Sequence, residues 1–345
     1  MGYRPISNRG GIRKGLTWNA DLCIGKKTLI PTAAYLYTGG TPTPGGGLSI
    51  VRVNLDTFQV DPTKVVLTDP NEYGEFTFEK DETYLYAGSW DTARLVRITL
   101  EPFARKDALN LSINGNHIED MLIVSGFLYV AMYDEFRDTT RLPKIDLSLF
   151  QQVDYLETPS GIYGLTSLAS DGSYLYSGTY TGEILKIDLA TLTITDTLTL
   201  PEGFAFSLAL ENTNLFAGVG TASNVIFHRI DLTTFSIAES VTAPETGTNP
   251  LPEALHIAGD HLYATCRQGV KLLYKLTKSP LSIVDSMSLG GRDVWDVSHY
   301  GDFLYVSSIA SSSPYNHLNK IRLADFTNVA ELILEDGDRV EHIVI

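Results

Sequence analysis

Cysteine is nearly absent: Cys23 and Cys266 are the two in 345 residues, and they stand in no metal-ligand spacing. This excludes a disulfide framework and a cysteine-based zinc site. No apolar run reaches membrane-spanning length, which excludes insertion as a helix. The first fifteen residues carry four basic side chains but lead into no apolar signal core, and Ile6 stands where a myristoylation pattern needs Ser or Thr. The expectation is a soluble protein without an export or anchoring signal of its own. Cationic charge is scarce too. The 26 Lys and Arg face 41 Asp and Glu for a net charge of −15, which argues against nucleic acid as the partner of the chain's body. Catalytic patterns are missing: there is no G-x-S-x-G elbow, no G-x-x-x-x-G-K loop, no H-E-x-x-H and no placed Cys-His pair. No amphipathic helix of useful length appears.

What is present is repetition. Leu followed by Tyr or Phe occurs at Leu36, Leu85, Leu128, Leu175, Leu215, Leu262 and Leu304, about every 45 residues. A second phrase shares the period: a basic residue (Arg52, Arg97, Lys144, Lys186, Arg229, Lys275, Lys320) followed six places later by Phe or Leu (Phe58, Phe103, Phe150, Leu192, Phe235, Leu281, Phe326). Each repeat reads as four short strands between turn signals such as Ser170-Asp171-Gly172-Ser173. Four strands per period with no helix is the pattern of a propeller blade. The fold class expected is therefore all-β: a seven-bladed β-propeller of four-stranded antiparallel blades over 28–345, preceded by an extended basic arm, 1–27. The last residues, Arg339 to Ile345, read like the first strand of a further repeat, so the C-terminal strand is expected to close blade 1. The competing closure uses Lys27 to Pro31.

Blade units such as Tyr174-Leu-Tyr-Ser-Gly-Thr-Tyr180 and Ile184-Leu-Lys-Ile-Asp-Leu-Ala-Thr-Leu192 resemble the YVTN-type and related seven-bladed propellers. The resemblance implies the fold and carries no activity. It departs from WD40 repeats, since Trp-Asp pairs do not recur in register, and from kelch repeats, since no double glycine recurs.

Residues present in every blade serve what every blade needs, so the Leu-Tyr pairs and their Phe or Leu partners are assigned to the core. The basic position is read as a polar site pairing with a neighbouring blade's carboxylate. Function is sought where repeats differ. From Leu-Tyr to the basic residue the separation is 16 residues in blades 1, 3 and 7 and 11 to 14 elsewhere. The longer loops nominate Thr41, Pro42 and Pro44, then Tyr133, Phe136 and Arg137, then Pro314 and Tyr315 for partner binding. Blade-to-blade connections bring acids and aromatics toward the channel mouth, with Tyr73, Tyr163, Phe204, Asp293 and Trp295 as ligand candidates for a cation, a sugar or a cationic peptide. His256, His299 and His342 lie near consecutive inner strands, but no metal site is assigned and no cofactor is implied. The arm carries a net charge of +5 against −20 for the remainder, and Arg4, Arg9, Arg13 and Lys14 are its candidate contacts to other proteins or to copies of itself.

Two readings follow. One is a non-enzymatic, rigid protein-protein interaction platform, such as a structural subunit of a virion, appendage or surface array. The other is a carbohydrate-binding module or a lactonase or hydrolase-like enzyme acting at the channel mouth.

Overall fold

The alternation within each Leu-Tyr phrase explains how the ring is packed. Successive residues of a strand point to opposite faces, so the Leu enters the interface with the preceding blade and the aromatic enters the next one. The computed structural model has seven apolar clusters built on this rule. Tyr37 meets Leu85 between blades 1 and 2, and Tyr305 meets Leu36 between blades 7 and 1. The structure describes residues 33–345 except 41–47, 70, 73, 91, 112–116, 135–138, 244–248, 269–271 and 335–339.

Blade 4 is representative: the inner strand Leu165–Ser170, then Tyr174–Thr179, Glu183–Asp188 and the outer Thr193–Thr199, all antiparallel. Blades 2, 3, 5, 6 and 7 repeat this order. In blade 1 the outer strand is split into Gln59–Val60 and Val65–Leu67. Its inner strand is Ile343–Val344, paired antiparallel with Tyr37 and Thr38. The C-terminal strand therefore closes the ring, and the competing segment, Lys27 to Pro31, lies outside the described residues. Side chains reinforce the closure. Thr38 Oγ1 donates to the His342 carbonyl at 2.9 Å, and Ser307 Oγ of blade 7 donates to the Glu341 carbonyl at 2.9 Å.

In blades 2, 4, 5, 6 and 7 the position three residues after the Leu lies against the inner strand of the next blade. A Cβ on Gly178 would stand 2.6 Å from the Ala205 carbonyl of the next inner strand, and one on Gly88 would stand 2.7 Å from Ile118. Where a hydroxyl occupies the position it bonds the same strand instead: Thr265 Oγ1 donates to the Trp295 carbonyl at 2.7 Å, as Ser307 does to Glu341.

The basic positions have a use that the sequence reading missed. Three do bind carboxylates, but mostly within their own blade: Arg97 to Asp107, Arg229 to Glu239, and Arg52 to Asp61 and to Glu101 of blade 2. The shared feature is a cation over an aromatic ring. Arg52, Arg97, Lys186, Lys275 and Lys320 lie 4.1–5.8 Å from the ring centres of Phe103, Phe150, Phe235, Phe326 and Phe58, each in the following blade. Lys144 and Arg229 face blades whose corresponding residue is Leu192 or Leu281, and Lys144 turns to Phe127 of its own blade. Such a contact is worth about 0.5–2 kcal/mol, more when desolvated. Arg97→Met keeps the stem and removes both the ring contact and the pairing to Asp107, so it should cost about 1–2 kcal/mol in urea unfolding. Arg322→Met, at an exposed pair with Asp325, should cost close to nothing.

Candidate functional site

A central cavity of about 480 Å³ runs between the inner strands. Its mouth, on the side where blades connect, is built from two repeat positions. Five residues after the Leu of the phrase stand Trp90, Tyr133, Tyr180 and Arg267 in blades 2, 3, 4 and 6; nine residues before it stand Glu119, Phe206, Glu253 and Trp295 in blades 3, 5, 6 and 7. The second strand ends and the inner strand begins at this face, so both positions project beside the channel.

Across blades 2 to 5 these side chains form a continuous aromatic arc. Trp90 stacks on His117 at 4.0 Å between ring centres, His117 on Tyr133 at 5.6 Å, and Tyr133 lies 5.1 Å from Tyr180. Tyr180 meets Phe206 edge-on at 5.5 Å and Phe204 at 6.1 Å, while Tyr163 flanks Tyr133 at 6.5 Å. His117 Nδ1 also bonds the Trp90 carbonyl. Trp90 and Tyr163 are each 37% exposed, so the arc offers faces to solvent and not only to the core. Glu119 sits at its centre: Trp90 Nε1 donates to Oε1 at 3.1 Å and the Tyr180 hydroxyl donates to Oε2 at 3.3 Å.

The opposite wall is different. Arg267 pairs with Glu253 and lies 4.3 Å over the Trp295 ring. One face of Trp295, at the rim of the same cavity, is thus covered by the guanidinium.

Burial governs the electrostatics, since removing a carboxylate from water disfavours its charged form. It pushes Glu119 up to about 7 and Glu253 upward in spite of Arg267. Deeper in the channel it raises Glu79 to about 8, with Asp120 adding repulsion, Asp296 to about 7 and Asp120 to about 6. Asp120 and Asp296 also tie neighbouring inner strands, accepting from the Leu168 amide at 2.7 Å and the Ile343 amide at 2.9 Å.

Of the three histidines, two meet. His256 Nε2 and His299 Nδ1 are 2.6 Å apart, whereas His342 stands beside Asp296, at 3.9 Å. Burial lowers both His256 and His342 to about 4, leaving them neutral at pH 7. Among the described residues no three His, Cys, Asp or Glu side chains converge as metal ligands.

No protein-family model matches the chain, and no curated protein matches it. Solved structures do. A chain in the crystal structure of a mitotic checkpoint complex aligns at 16% identity with a TM-score of 0.65, over 80% of this chain and 85% of that one. The β-propeller domain of Cps50 (Swd1) from Myceliophteria thermophila aligns at 13% identity and a TM-score of 0.57, over 77% and 87%. Dihydro-heme d1 dehydrogenase NirN aligns at 13% identity and a TM-score of 0.59, over 90% and 74%. The likeness is one of fold. At such identities it transfers no activity to this β-propeller.

The candidates separate as follows. Tyr133, nominated for partner binding, joins Tyr163 and Phe204, nominated for the channel mouth, in one arc. Asp293 ties two blades, its Oδ1 accepting from the Gln268 amide at 2.9 Å. Pro314 and Tyr315 are exposed on blade 7, outside the arc, and the Pro314 carbonyl accepts from His317 Nε2. Thr41, Pro42, Pro44, Tyr73, Phe136, Arg137 and the arm residues Arg4, Arg9, Arg13 and Lys14 lie outside the described residues. The sequence reading missed Trp90, His117, Glu119 as a centre, Tyr180 and Phe206. Aligning the repeats on Leu-Tyr and comparing the fifth residue after the Leu would have found Trp90 and Tyr180.

Proposed function

We propose that this β-propeller is a non-enzymatic interaction platform that receives another protein at the blade 2 to 5 side of its channel mouth. The observation that carries the reading is the aromatic arc, which spans four blades and includes the half-exposed Trp90 at its blade 2 end and Tyr163 on its flank. Aromatic side chains bring large contact area with few rotatable bonds, which is why they dominate binding hot spots. The propeller in the mitotic checkpoint complex supports the same use of the fold. A structural subunit of a virion, appendage or surface array is the form of this reading in which the basic arm, through Arg4, Arg9, Arg13 and Lys14, adds contacts to other copies. The arc also favours a second reading, because aromatic faces stack on sugar rings, and this keeps the carbohydrate-binding alternative in view.

Selection of displayed random peptides against the full chain tests the platform. A peptide family should emerge whose affinity falls at least about tenfold in Trp90→Ala/Tyr163→Ala, a loss of about 1.4 kcal/mol. The variant should stay folded, its thermal midpoint falling by a few degrees through the lost contacts to His117 and Tyr133. No selected family, together with binding of a glycan that depends on the same two residues, would replace the platform by the carbohydrate reading.

A further inference from the structure

We infer that the channel mouth accepts one basic side chain, arginine or lysine, from an extended partner segment, held between Trp90, Tyr180 and Phe206 and paired with Glu119. This rests on the platform reading and specifies the chemistry of its partner.

The repeat itself supplies the argument. Glu119 and Glu253 occupy the same place in their blades, nine residues before Leu128 and Leu262. In blade 6 the residue five after the Leu is Arg267, and the pair closes internally, with the guanidinium also lying over Trp295. In blade 3 that residue is Tyr133, whose ring packs against His117 and Tyr180. Glu119 thus has the carboxylate and the aromatic wall of its counterpart without the guanidinium. Its two partners among the described residues, the Trp90 indole and the Tyr180 hydroxyl, are neutral donors. They orient the carboxylate without cancelling its charge, and each oxygen keeps a further acceptor direction.

Charge selects against the alternatives. Glu79, Glu119, Asp120, Glu253 and Asp296 line the cavity, and among the described lining residues Arg267 is the one Lys or Arg, committed to Glu253. An anion meets repulsion and a neutral sugar leaves the burial of Glu119 uncompensated. A guanidinium or ammonium gains the carboxylate and the ring faces together, the arrangement already realised by Arg267, Glu253 and Trp295. Glu253 and Arg267 are the charged groups that face Glu119 across the mouth. Since burial brings Glu119 close to half-protonated near neutrality, a cation that requires the ionised form displaces a proton, and its affinity rises with pH through that range.

The test uses peptides selected on the full chain. The selected family should share one basic residue. Replacing arginine by citrulline, equal in shape but neutral, should lower affinity at least about tenfold. Glu119→Gln should cost the arginine peptide as much and the citrulline peptide little, and it should reduce the gain in affinity from pH 6 to pH 8 to the smaller part that Glu79 and Asp296 of the same channel supply. Peptides that lose binding in Trp90→Ala yet ignore both the citrulline exchange and Glu119→Gln would overturn this inference and leave the platform standing. In the absence of any selected peptide, N-acetylarginine amide followed through indole fluorescence decides. Saturable binding lost in Glu119→Gln supports a cation site without a peptide platform, and no response sinks both.

Discussion

Ile343→Asp should lower stability by about 3 kcal/mol, because it removes a buried aliphatic side chain from the seam between blades 7 and 1 and places a charge there. Ile343 is 7% exposed and packs with Leu36, Val340 and Tyr305. The strand it belongs to has only two paired residues, so the seam depends on few additional bonds: those from Thr38, from Ser307 and to Asp296. A ring with this seam weakened exposes the inner edge of blade 1, an unpaired ladder open to other chains. The thermal midpoint should therefore fall by several degrees, with aggregation on heating. Ile333→Asp, at a side chain 52% exposed on an outer strand, is the control and should stay within about 0.5 kcal/mol of the parent. Equal midpoints for the two variants would mean that the strand hangs on the ring without closing it.

Stability should decline by about 2 kcal/mol between pH 6.5 and pH 8, the reverse of a protein held by surface carboxylate pairs. Glu79, Asp296 and Glu119, with folded values of about 8, 7 and 7, all lie above the ordinary 4.5 or 3.8 of the unfolded chain. The folded state then binds protons more tightly than the unfolded state. The resulting stabilisation is complete below the unfolded values and is lost as pH climbs through the folded ones. Each carboxyl still protonated contributes about 1.4 kcal/mol per pH unit to that loss. His256 and His342, lowered to about 4, act in the opposite direction while their unfolded forms release protons around 6.5, so they offset part of the loss up to about pH 7.5 and the carboxyls act alone above it. Glu79→Gln should flatten the profile, since Glu79 remains protonated furthest into the window. Urea midpoints measured at pH 6.5, 7.2 and 8 check this, and a profile that is flat or rising in the parent protein refutes it.

The blades were legible because their determinants are local. Leu and Tyr alternate within a strand, and Asp188 and Asp231 accept amide hydrogens two residues on to set the hairpin turns. Closure was legible from the echo between Val340-Glu-His-Ile-Val and the first strands of other repeats. The seams were not. The basic residue and the Phe six places later look like one motif, yet Arg97 lies over Phe150 and Lys186 over Phe235, one period further along. A periodic sequence cannot distinguish contact within a repeat from contact with the next. The site failed for a related reason: Trp90, Tyr133 and Tyr180 are separated by whole repeats, and only the ring brings equivalent positions side by side. Loop length pointed toward Tyr133, but the ring it belongs with was set by register.

The residue three after each Leu carries a consequence for the number of blades. Seven wedges fill a circle only if each occupies its angular share, and that angle is set where neighbouring inner strands come closest. Gly88 and Gly178 allow the approach, and Thr265 and Ser307 convert it into a bond of fixed length. A bulkier side chain at this position in every blade would widen each wedge at its narrow end and favour a larger circle with more members. Ring size in this chain is thus written in its smallest side chains.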